Sequence, residues 1–190
     1  MSTVKNYTSI DLASNALLLI GEETISSFTD DSTAALVAAN LYELTYESLL
    51  TLHPWRFAST QVTLSRLTAT PVSEWSYAYQ LPADFLVAQH IDDAIDMYQI
   101  YGDKLYSNNT TVILDYTFKP DESFLPAYFA ELLEYRLASV FSIPITESAS
   151  KGDYYATLAE KQMTKSKTID SQMSPSSAPV GNSPLINFRS

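Results

Sequence analysis

Apolar positions along this chain recur first at helical spacing, then in alternation, then at helical spacing again. Ile10, Ala13, Ala16, Leu17 and Ile20 predict a first helix from about Ser9 to Ile20, capped by Thr8 or Ser9 and closed by Gly21. Asp30, Asp31 and Ser32 are N-cap candidates for a second helix running to about Leu52. Its apolar face is Ala34, Ala38, Leu41, Tyr42, Thr45, Leu49 and Leu52, and Pro54 stops it.

The middle of the chain reads as β. Gln61–Leu67 alternates, with Val62 and Leu64 on one face, and Trp75–Leu81 is aromatic-rich and ends at Pro82. Met97–Tyr101 and Lys104–Ser107 flank a Gly102–Asp103 hairpin turn, and Asn108–Asn109 marks a second turn. Thr111–Phe118 alternates again, with Val112, Leu114, Tyr116 and Phe118 together.

A third helix is expected from about Ser123, with Pro126 in its first turn and Pro144 at its end. Its stripe is Phe129, Leu132, Leu133, Arg136, Leu137, Val140 and Phe141. A fourth begins near Thr146 or Ser148 and runs to about Asp170 or Met173. Its stripe is thinner: Tyr155, Leu158, Ala159, Met163 (or Gln162) and Ile169. Beyond Ser174 the composition shifts to serine and proline without periodicity, which predicts an extended tail.

The expected fold is therefore α+β, mainly α. It comprises a four-helix bundle (1–54 and 123–173), a small antiparallel β insertion between helices 2 and 3 (55–122) and an extended C-terminal arm (174–190).

Composition narrows the chemistry. Of 190 residues, 46% are hydrophobic and 17% charged, enough apolar material for a core. No apolar run approaches the length of a membrane span, and the N-terminus lacks a signal-type apolar segment, so membrane insertion and secretion are not expected. With no cysteine, disulfides, thiolate metal sites and cysteine nucleophiles are excluded. The net charge is −11, and residues 1–100 hold twelve acids against three bases, which disfavours tight binding to phosphates.

Candidate chemistry is sparse. His53 stands at a helix end, where it can serve terminal carbonyls. His90, Asp92, Asp93 and Asp96 form the one group of metal-ligand type, read otherwise as a solvated acidic loop. Asp30–Asp31 and Asp121–Glu122 precede helices, where capping accounts for them. Four glycines and no phosphate-loop or nucleophile-elbow pattern leave no catalytic motif, so neither an enzyme nor a cofactor is expected. Lys161, Lys165 and Lys167, with Lys151, form the local positive surface, either solvated or set against an acidic neighbour. Thirteen tyrosines suit interfaces, carbohydrate stacking or ordinary sheet packing.

The order of several features resembles the tail tubular protein A, or head-to-tail adaptor, family of short-tailed bacteriophages. They are Ile20-Gly21-Glu22, His53-Pro54-Trp55-Arg56-Phe57-Ala58, Tyr77 through Leu86, the Tyr101–Tyr106 hairpin, Leu114-Asp115-Tyr116, Tyr135-Arg136-Leu137-Ala138 and Ile143-Pro144-Ile145-Thr146. The resemblance spans about 9–173. It implies a structural virion protein at the head–tail junction, assembled in the host cytoplasm. About twelve copies would form a ring between portal and tail nozzle, and duplex DNA would pass through the lumen without specific binding. It carries no catalytic residues, metal or cofactor. Acids lining the lumen would let DNA slide.

Other readings are a stopper or head-completion protein of a long-tailed phage, a carbohydrate-binding or hydrolytic tail component, and a free cytoplasmic adaptor. In the tail, Pro175, Pro179 and Pro184 stiffen the backbone, and Leu185, Ile186 and Phe188 can anchor in an apolar groove. This predicts an assembly arm that docks on the portal or on an adjacent subunit.

Overall fold

Residues 6–69, 71–72, 74–91 and 97–173 are described in a computed structural model of the chain. Thr8 opens α1 (Ser9–Ile20) with a capping box: its hydroxyl accepts from the Asp11 backbone, and Asp11 accepts from the Thr8 backbone. Gly21 closes it at φ 87°, a backbone that a side chain would strain. Ser32 caps α2 (Thr33–Thr51), while Asp30 instead binds the backbone N–H groups of Ser26 and Ser27 in the preceding turn.

Four helices are present as expected, but they do not form a bundle around one shared stripe. The centre is α3 (Ala127–Thr146), which packs against α1, α2 and α4 (Ala149–Gln172), whereas α1 and α2 touch little. Leu12, Leu17, Tyr46, Leu50, Phe129, Leu133, Leu137 and Phe141 are buried in this helical core. Trp55 and Ala58, beyond the expected 54/55 boundary, belong to it too. The Trp55 indole donates to the Leu49 carbonyl (3.0 Å) and meets the Phe129 ring edge-on at 5.0 Å. These contacts give the His53–Ala58 segment a structural role.

The β portion is not a small insertion. Among the described residues, seven strands make two antiparallel sheets: β1 (Ser59–Thr63), β7 (Ile113–Phe118) and β4 (Phe85–Ile91) in one, in the order β1-β7-β4. The other is β2 (Ser65–Arg66), β3 (Tyr77–Gln80), β6 (Lys104–Ser107) and β5 (Tyr98–Tyr101), in the order β2-β3-β6-β5. They enclose a second core of Leu64, Tyr79, Leu81, Ile91, Leu105, Val112, Leu114 and Tyr116. The protein is thus α+β with two cores, and the expected bundle with a minor insertion is overturned. A sheet pair needs its own buried layer, and this segment supplies one.

Strand β4 was not foreseen. Alternation fails there because both faces are covered: Leu86 packs on the helical core and Phe85 and Ala88 on the β core, with bulges on either side of Val87–Ala88. Two helix boundaries also moved. A single 3-10 turn at Glu122–Phe124 precedes α3, which starts only after Pro126. The helix then continues past Pro144 to Thr146 and ends at Glu147 with φ 53°.

Candidate assembly surface

Asp170, near the end of α4, joins several elements through its carboxylate. It is 1% exposed. Both of its oxygens accept from the Arg56 backbone N–H (3.2 Å each), and Oδ1 also accepts from Tyr128 Oη (2.8 Å). His53 Nε2 lies 3.6 Å from Oδ2. Burial holds the imidazole pKa below its usual value, with the Asp170 charge opposing. At 3.6 Å His53 is the most distant of these partners, and Asp170 is held chiefly by the backbone N–H and the phenol. The arrangement ties α4 to α3 and to the α2–β1 junction.

The rest of the α3–α4 contact is also polar and small. Gly152, Ala159, Gln162, Ser166 and Asp170 are the buried face of α4. Ser166 Oγ donates to the Tyr128 carbonyl (2.9 Å), Gln162 Nε2 donates to Glu131 (2.8 Å), and Ser139 Oγ on α3 donates to the Gly152 carbonyl (3.0 Å). The expected apolar stripe was displaced accordingly: Ile169 is exposed, and Tyr155, Leu158 and Met163 are only half-buried. In the same way Arg136 and Leu52, expected on core faces, are exposed, while Tyr46, not singled out, is fully buried and donates to the Pro120 carbonyl at 2.8 Å. The signal for the α4 seam was there as Gly152, Ala159 and Ser166 at seven-residue spacing.

Because α4 leans on α3 this way, a groove of about 360 Å³ opens between α2 and α4. Leu49 and Leu52 line one side, Ala159, Met163 and Lys167 the other, with Leu132 and Arg136 from α3 between them. Lys167 therefore diverges from Lys161 and Lys165, which are exposed; six residues along a helix is about 120° away around the axis. Lys151 is elsewhere again: its ammonium donates to the Ile20 carbonyl at 2.8 Å, and the Tyr155 hydroxyl donates to the Leu19 carbonyl, so α4 caps the C-terminus of α1. The four lysines do not make one face.

Large apolar side chains stand exposed at many points of the described residues, Val72, Met97, Phe124 and Ile143 among them, and two groups lie on α2 and where α1 meets α4. On α2, Leu36 (64% exposed) and Leu44 (68%) lie about two turns apart along the helix and about 80° apart around it, Leu44 on the side away from the buried face and Leu36 beside that face. Where α1 meets α4, Leu18 (56%) and Leu19 border a cleft with Tyr154 (60%) and Tyr155.

His90 lies near the end of β4 opposite Asp115, 92–96 fall outside the described residues, and no group of three metal-ligand side chains occurs among the described residues. The candidate arm contacts Pro175, Pro179, Pro184, Leu185, Ile186 and Phe188 also fall outside them. Among the described residues no helix is long and apolar enough to cross a membrane. No protein-family model and no curated protein matches the chain.

Proposed function

We propose that this chain is a structural ring subunit, a head-to-tail adaptor between a phage portal and the tail below it. The observation that carries the reading is the pair of unlike apolar patches, Leu36/Leu44 on α2 and Leu18/Leu19/Tyr154 at the α1–α4 junction. Exposed apolar side chains are ordinary when scattered singly, whereas grouped ones can form an interaction surface. A two-fold dimer needs one self-complementary patch; a head-to-tail contact needs two different ones, and repeats until it closes into a ring. The feature order from Ile20-Gly21-Glu22 to Ile143-Pro144-Ile145-Thr146 supports the same reading by its resemblance to the adaptor family. The net charge of −11 suits a lumen through which DNA slides.

The test is imaging of the purified protein alone and after mixing with the portal protein of the genome that encodes it. The reading expects rings seated on the portal. A protein that leaves the portal bare at every concentration, or a genome that encodes no portal, contradicts it.

A further inference from the structure

We propose that the groove between α2 and α4 is the seat of the chain's own C-terminal segment, with Leu185, Ile186 and Phe188 as its anchors. The groove presents the exposed Leu52 and the half-buried Met163 together with the charged Arg136, Glu160 and Lys167. Apolar surface combined with charged side chains suits the binding of a peptide segment.

The geometry favours the same chain as donor. The groove follows α4 from Ala159 to Lys167, and α4 passes into Met173. At the helical rise, the distance back from that exit to the groove is about 9–21 Å. Eleven residues, 174–184, separate the exit from Leu185. Eleven residues reach at most about 36–40 Å when extended, so the chain is long enough to bring Leu185 back to the groove. A tether that can span the gap makes docking intramolecular, which at dilute concentration favours the chain's own segment. The same segment on a second copy competes only where that copy is comparably concentrated. Serving this groove also accounts for three large apolar side chains at the end of an otherwise serine- and proline-rich stretch. The inference does not depend on the ring reading, since it concerns the folded chain by itself.

The test exploits the absence of native cysteine. Full-length protein carrying Met163→Cys with Asn187→Cys is oxidised at dilute concentration and compared with Asn40→Cys with Asn187→Cys, whose first site lies on the outer face of α2. The expected result is an intramolecular disulfide formed at least about tenfold faster in the first pair than in the second. Matched circular dichroism confirms that both variants fold. Equal rates in the two pairs overturn the proposal. Cross-linked dimers whose yield rises with protein concentration also overturn it, placing the segment on a second copy.

Discussion

Tyr128 Oη donates a 2.8 Å hydrogen bond to Asp170 Oδ1, and the Asp170 carboxylate at the same time receives the Arg56 backbone N–H. One carboxylate thus ties α3, α4 and the entry to β1. Asp170→Ala leaves two donors without this acceptor, one of them a backbone N–H with few alternatives. It is expected to cost about 2–4 kcal/mol in urea melts. Asp170→Asn keeps one acceptor oxygen and is expected to cost less. A loss below about 0.5 kcal/mol for the alanine variant would mean that the junction is held by other contacts.

Gly152 tests the small-residue seam. A Cβ there meets the Ser139 carbonyl at 3.5 Å and Ser142 Cβ at 3.8 Å, ordinary contact distances. Gly152→Ala is therefore expected to stabilise by up to about 1 kcal/mol through helix propensity. Gly152→Leu pushes α4 off α3 and is expected to destabilise by about 1–3 kcal/mol. If both variants melt alike, α4 does not pack as closely as the seam requires.

Alkaline pH should loosen the helical core. Burial first, then the Glu122 charge, raises the phenol pKa values of Tyr42 and Tyr46 well above 10; burial and the Asp170 bond do the same for Tyr128. A phenol whose folded pKa is raised contributes stability that is fully present below its unfolded value and is lost as pH rises through the folded one. Stability is thus expected to be level from pH 8 to about 9.5 and to fall steeply above about 10. Near-ultraviolet absorbance should show these phenols ionising together with unfolding rather than before it. Independent ionisation of all thirteen tyrosines near pH 10 would contradict the burial described.

These residues also show what could be read from the chain and what could not. Thr8 and Gly21 delimit α1 by local capping chemistry, so that helix was legible to the residue. Val112, Leu114 and Tyr116 alternate because one face of β7 meets the β core, and that strand was legible too. Strand β4 was hidden because both of its faces are covered, which erases the period of two. On the buried face of α4, Ala159 and Gln162 were legible but Gly152, Ser166 and Asp170 were not, because small side chains and hydrogen bonds do there what leucines do elsewhere. The size of the β portion was underestimated for a related reason. Apart from Val112, Leu114 and Tyr116, its core residues are scattered singly over short strands and the turns between them, so no other run announces it. Of the candidate sites, the basic surface was read from proximity in sequence, and helix rotation separates Lys167 from Lys161 and Lys165.

A head-to-tail ring requires contact between two unlike patches, and cross-linking detects that contact. Because the chain has no native cysteine, Leu18→Cys and Leu44→Cys can be combined in one protein and treated with a short bis-maleimide at high micromolar concentration, with and without portal. The double variant is expected to give a ladder of covalent oligomers up to a closed ring, while neither single variant goes beyond monomer. A double variant that stays monomeric under all these conditions, or single variants that each give dimers, would contradict the head-to-tail ring.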